Sequence, residues 1–195
     1  MRALRAPDAH TPRRAALAAY DEAAVVEAGI PFEVRPADVE EETAGDPAAV
    51  AERNARRKAT ALFSRPPIPG PAELVLGADT VVALDGRIYG KPADAEQARA
   101  YLGALNGRTH EVIGAIALAR HGEVLVTAVE STRVTFKASD DAALAAYVAT
   151  GEWEGRAGGY AIQAAGRRLV ERIEGDYLNV VGLPLERLKQ LLSRR

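Results

Sequence analysis

Apolar positions along this 195-residue chain change their period several times, and each change predicts an element. From about Pro12 to Ala28, Leu17, Ala24, Val25 and Ala28 fall on one face at helical spacing, and Gly29-Ile30-Pro31 would stop the helix. Phe32-Glu33-Val34 reads as a short strand, followed by the acidic run Asp38-Val39-Glu40-Glu41-Glu42. Asp46 supplies an N-cap and Pro47 a first-turn proline for a helix reaching toward Phe63. The proline-rich run from Arg65 to Pro71 cannot continue a helix and reads as a loop.

Leu74-Val75-Leu76 is an unbroken apolar run, as in a strand buried on both faces. It is expected to end at Gly77-Ala78-Asp79-Thr80, with the strand resuming at Val81 before a hairpin turn at Asp85-Gly86. Asp94 and Gln97 can form a capping box for a helix whose face carries Ala98, Tyr101, Leu102 and Leu105. Two long β segments, about His110–Ala119 and Glu123–Phe136, meet at a tight turn at His121-Gly122. Ser139 is placed to cap a short helix bearing Leu144, Tyr147 and Val148. A glycine-rich loop from Gly155 to Gly159 leads into Tyr160-Ala161-Ile162-Gln163. A hairpin is expected to turn at Glu174-Gly175-Asp176, and a final helix starts near Pro184. With no internal repeat and no low-complexity linker, this order predicts one compact mixed α/β unit with a cleft, its β-sheet flanked by helices.

Composition narrows the chemistry. Hydrophobic residues make up 48% and charged residues 27%, the balance of a globular rather than a disordered chain. The formal net charge of -2 gives no general pull toward nucleic acid or an anionic membrane, so any phosphate affinity must come from locally placed Lys and Arg. There is no Cys, which removes thiolate zinc sites and a Cys nucleophile. His10, His110 and His121 are scattered without HExxH spacing, which argues against a His-based metal site. No apolar run approaches the roughly 18 residues of a spanning helix, and the first residues lack a signal-peptide core, so the expected compartment is the cytosol. GxxxxGK[ST], GxGxxG and nucleophile-elbow patterns are all absent.

Four features carry candidate chemistry. Asp79, at an apolar strand behind the small Gly77 and Ala78, is costly to bury without a cation or donor; it reads either as a functional carboxylate or as a turn cap bonded to Thr80. Glu40 could join it around a hard cation, or belong to a solvated acidic loop. Lys58, on the second helix, and Lys91, between Gly90 and Pro92, are candidate phosphate ligands or plain surface charges. Pro12-Arg13-Arg14 puts two arginines at a helix start, where free N–H groups favour phosphate but the helix dipole disfavours cations.

In order, these segments resemble the Maf-like nucleoside triphosphate pyrophosphatases, from about His10 to Leu192. The strongest pieces are Gly77-Ala78-Asp79-Thr80-Val81-Val82, Gly90-Lys91-Pro92, the run from Leu105 to Val112, and Ala157-Gly158-Gly159-Tyr160-Ala161-Ile162-Gln163. The tail from Ile173 to Tyr177 and from Asn179 to Leu185 also looks like that family.

The resemblance implies a single Maf-like (inosine triphosphatase-like) α/β domain over residues 1–195, with two lobes around a deep nucleotide-binding cleft. It implies cleavage between the α and β phosphates of a nucleoside triphosphate, giving the monophosphate and pyrophosphate. Asp79 would be the base that activates water, Glu40 and Asp79 would hold Mg²⁺ or Mn²⁺, and Lys58 and Lys91 would bind the phosphates, with Arg14 of the helix start as a further substrate-binding candidate. Arg13, Thr80 and Gln163 match positions that distinguish the branch favouring dTTP and UTP from the branch acting on 7-methyl-GTP, which usually has Glu in place of this Gln. The expected partner is the nucleotide alone, with no nucleic acid and no membrane; a homodimer is compatible with the sequence but not required by it.

Residues 1–28 are atypical for the family. Ala9 replaces the first serine of Ser-x-Ser-Pro-Arg-Arg, and the stretch between Arg14 and Gly29 is longer by about two helical turns. After Gln163, Ala164-Ala165-Gly166 stands where Gly-x-Gly is common, and the added Cβ atoms restrict the backbone. A nucleotide-binding protein with weak catalysis is therefore the alternative reading, beside the 7-methyl-GTP branch.

Overall fold

The computed structural model describes residues 15–17, 32–64 and 74–193. Ala9, Arg13, Arg14 and the proline-rich run lie outside the described residues, as does most of the helix expected over Pro12–Ala28. Within that span, Ala15–Leu17 is a strand, β1, rather than helix. It pairs in parallel with β2 (Phe32–Val34) on one side and with β3 (Leu74–Leu84) on the other. Ladder bonds on both flanks override the helical spacing, because intrinsic propensity is a weak prior.

The strand order is β2-β1-β3-β5-β6-β7, with β5 spanning Thr109–Arg120, β6 Glu123–Phe136 and β7 Val170–Glu174. A short β4 (Arg87–Tyr89) folds back antiparallel on the end of β3. The sheet is therefore mixed: parallel around β1, antiparallel from β3 to β7. The expected break in β3 at Gly77–Thr80 is absent. Its eleven residues run unbroken because β5 pairs with it from Val75 through Ala83.

Helix α1 (Pro47–Ala61) covers one face, capped by Asp46, whose carboxylate accepts from the Ala49 amide at 2.9 Å. Its buried Val50, Ala51, Ala55 and Ala59 pack on Val81, Ala83, Ile113, Ala115 and Ala117. Small residues on both sides bring the helix close to the sheet. At Gly77 they bring it to backbone contact: a Cβ there would run into the Ala55 carbonyl and the Ala59 nitrogen. The opposite face buries a larger core, with Leu102 and Leu105 of α2 (Ala95–Leu105), Leu144 and Tyr147 of α3 (Asp141–Val148), and Phe136. Leu185 and Leu188 of α5 (Leu185–Ser193) extend that layer over Leu76, Ala78 and Ile116.

Two expected local features come out differently. Asp140, not Ser139, caps α3, accepting from Ala143 N at 2.8 Å; the Ser139 backbone is instead held at both its N–H and C=O by Asn106. After Glu174 the chain does not return as a hairpin. Asp176 caps a short helix, α4 (Tyr177–Val181), by accepting from Leu178 N at 2.8 Å.

Candidate active site

The topology leaves an opening beside Asp79. On the edge of β3 away from β5, β1 pairs with Leu74–Leu76 and β4 with Val82–Leu84, so Gly77–Val81 have no strand partner there among the described residues. A cavity of roughly 1120 Å³ lies against this stretch, of a size that accommodates a nucleotide. Asp79 and Thr80 line it, with Lys58 from α1, Lys91 from the loop after β4, and Gln163 beyond the glycine-rich loop.

Asp79 is 5% exposed and both its oxygens are held. Oδ1 takes a charged hydrogen bond from Lys58 Nζ at 2.6 Å, and Oδ2 accepts from Asn54 Nδ2 at 3.1 Å. Asn54 and Lys58 are four residues apart on α1, one helical turn, so they approach the carboxylate from the same face. The Gly77 contact sets the helix near enough for both to reach. Breaking a buried ion pair of this kind from one side costs on the order of 3–5 kcal/mol, since the remaining charge is left uncompensated.

Lys58 also bonds Glu41 Oε1 at 2.7 Å, and Lys91 Nζ reaches both Glu41 oxygens at 2.9 and 2.8 Å. The result is an alternating chain of charge: Asp79, Lys58, Glu41, Lys91. Burial works to lower the Lys58 pKa, but the charges and hydrogen bonds of Asp79 and Glu41 outweigh it and hold the ammonium above its ordinary value. Burial likewise pushes Glu41 upward, yet Lys58 and Lys91 together hold its carboxyl below the usual range. Of the two lysines Lys58 is the enclosed one, with its side chain 13% exposed against 52% for Lys91.

Of the residues expected from sequence, Asp79, Thr80, Lys58, Lys91 and Gln163 all line this one cavity. Glu40 is not among its lining residues; it is exposed, and its carbonyl lies 3.5 Å from Arg57 Nη1. The carboxylate brought to the cavity is the next one, Glu41, while Glu42 turns outward to Arg53 and Arg57. Three consecutive glutamates in an irregular segment carry no periodicity that tells them apart. Asn54 did have a signal. It falls on the stripe formed by Val50, Ala51, Ala55 and Ala59, so it is a polar residue at a buried position of an amphipathic helix.

The far wall is built by Gly155, Arg156, Ala157 and the Tyr160–Gln163 segment. Gly158 has φ 71°, and a Cβ there would press on the Val82 side chain, so only glycine lets this loop fold onto β3. Behind it, His110, Phe136 and Tyr160 stack edge to face, and His110 Nε2 shares a 2.8 Å hydrogen bond with the Tyr160 hydroxyl. The Tyr147 hydroxyl accepts from Ala161 N at 2.9 Å, tying α3 to the same wall.

The charged residues lining the cavity are balanced: Asp38, Glu41 and Asp79 against Lys58, Lys91 and Arg156. No described helix is long and apolar enough to cross a membrane. Among the described residues no group of three or more His, Cys, Asp or Glu side chains is gathered as a metal cage.

A family model described as Maf-like protein matches residues 21–195, a span that begins after Arg13 and Arg14. A dTTP/UTP pyrophosphatase of Symbiobacterium thermophilum is 46% identical over 168 residues, covering 85% of this chain and 84% of that protein. A dTTP/UTP pyrophosphatase of Pyrococcus furiosus is 42% identical over 154 residues, covering 78% of each. Among solved structures, a HAM1 protein from Coxiella burnetii matches at a TM-score of 0.48 and 14% identity, over 94% of this chain and 100% of that one. The match over residues 21–195, together with relatives above 40% identity across most of both chains, places this chain in the Maf-like protein family.

Proposed function

We propose that this chain is a nucleoside triphosphate pyrophosphatase, acting on dTTP and UTP through its whole length as one Maf-like domain, with two lobes enclosing the cavity beside Asp79. The observation that carries the reading is the arrangement of Asp79, Lys58, Glu41 and Lys91 along one cavity, in a chain 46% and 42% identical to two dTTP/UTP pyrophosphatases. Asp79 is the base. Its oxygens each accept one bond and keep lone pairs for a water proton, and Lys58 and Asn54 fix its orientation. As the water oxygen bonds to phosphorus, its proton passes to Asp79, the bridging P–O bond breaks, and pyrophosphate leaves from the nucleoside monophosphate.

A polyanionic substrate upsets the balance of charge in the cavity, because each lysine there already faces a carboxylate. A divalent cation bound with the triphosphate would offset part of that charge. Asp79 and Glu41 are the carboxylates that would hold Mg²⁺ or Mn²⁺, since both offer the hard oxygen donors such ions prefer. Glu41 thus takes the part the sequence assigned to Glu40. When bound, such an ion screens phosphate charge and acidifies water. Lys58 and Lys91, freed from Glu41, would neutralise the phosphate tail; opposite charges about 4 Å apart gain roughly 4 kcal/mol at an effective dielectric of 20. Gln163 offers an amide donor and acceptor suited to the edge of thymine or uracil, and Thr80 lines the same cavity. Arg13 and Arg14 would add anion contacts from the N-terminal segment.

A nucleotide panel with Mg²⁺ or Mn²⁺, including dTTP, UTP and 7-methyl-GTP, tests this reading. Pyrophosphate from dTTP and UTP above the others is expected. Orthophosphate as product, or tight binding of every nucleotide without turnover, would overturn it.

A further inference from the structure

Asn54 is buried to 2% exposure, and its side chain makes three hydrogen bonds, none of them to its own helix. Its Oδ1 accepts from Glu42 N at 2.8 Å, and its Nδ2 donates to Glu42 O at 3.0 Å and to Asp79 Oδ2 at 3.1 Å. The first two bonds grip one residue's backbone at both its polar groups, which fixes position and direction of the segment together. The third ties that grip to the carboxylate facing the cavity. Glu41 is the residue immediately before the gripped one, and its carboxylate is held by Lys58, one turn along the same helix.

We infer that Asn54 is a positioning residue, its carboxamide setting the placement of Glu41 relative to Asp79. The inference rests on the pyrophosphatase reading for its effect on turnover, but not for its structural content. Chemistry restricts the position closely. Only a side chain with an acceptor and a two-proton donor can bond Glu42 N–H, Glu42 C=O and a carboxylate at once. Aspartate keeps the acceptor and loses both donors, placing a negative charge against Asp79 and a carbonyl. Leucine keeps the volume and loses all three bonds. Glutamine reaches one methylene further than the distances allow without moving the segment.

The test uses the full chain carrying Asn54→Leu and, separately, Asn54→Asp, each combined with Glu41→Gln. With dTTP and Mg²⁺, each single variant is expected to lower kcat by about 100-fold, the scale of a misplacement near 1 Å, with KM changed by less than about threefold. In the double variants the losses are expected to be less than multiplicative, because Glu41 no longer has a charge to place. Crystal structures of the variants provide a readout free of turnover: Glu41 is expected to leave Lys58 in both. Multiplicative losses, or kcat within about threefold of the parent, overturn the inference; so does a crystal structure in which Glu41 and Asp79 keep their places. A parent that releases pyrophosphate from no nucleotide sinks the pyrophosphatase reading instead, and the crystal structures then decide the positioning role alone.

Discussion

Two residues show how burial turns ordinary side chains into specific ones. Lys58 remains an ammonium in a nearly closed position because two carboxylates surround it. His110 has no such partner. It is 1% exposed, bonds only the Tyr160 hydroxyl, and its Nδ1 finds no partner among the described residues. Burial pulls its pKa down to about 4 from an ordinary value of 6.5. The folded protein therefore holds a neutral imidazole, while the unfolded chain binds a proton below about pH 6.5. Stability from this residue is fully present above that pH and is lost as the pH falls toward about 4, by about 2 kcal/mol between neutrality and roughly pH 5. Denaturant melts of the parent and of His110→Gln across this range check it: the variant starts less stable but with a flatter acid slope. Parallel slopes would show that His110 contributes none of the acid sensitivity.

At the scale of elements, the site depends on how closely α1 lies on β3. Gly77→Ala tests this directly, because the added methyl meets helix backbone, which cannot swing aside as a side chain does. Overpacking of this kind costs about 1–3 kcal/mol, and lifting α1 carries Asn54 and Lys58 away from Asp79 together. Pyrophosphate release is expected to fall with stability; a variant stable and active as the parent would show that the close approach is dispensable. Such contacts explain what could be read from sequence. Capped helices such as α1 and α2 announce themselves through Asp46-Pro47 and Asp94, since a cap is a local interaction. The continuity of β3 through Asp79, and β1 within a helical pattern, depend on strands distant in sequence and leave no local trace. At Glu174–Asp176 the expected hairpin gave way to a helix cap for a different reason: Asp suits both, so its presence does not choose between them.

For the molecule as a whole, one sheet with helices on both faces brings residues from distant segments to one opening. Asp79, Thr80, Lys91 and Gln163 lie in the ordered motifs, Lys58 was singled out on its helix, and the cavity collects all five. Glu41 needed the fold because its neighbours Glu40 and Glu42 carry the same side chain; Asn54 stood out only as a polar residue on a buried stripe, and its partners, the Glu42 backbone and the Asp79 carboxylate, are set by the fold. The proposed reaction rests on the chain's membership of the Maf-like family and on the charge chain at Asp79. Its most direct test compares pyrophosphate release from dTTP by the parent and by Asp79→Asn, with melting followed in parallel. Loss of a general base is expected to slow release by about 10²–10⁴-fold while the variant still melts cooperatively. A folded Asp79→Asn protein that turns over dTTP at the parent's rate would contradict the role given to this carboxylate.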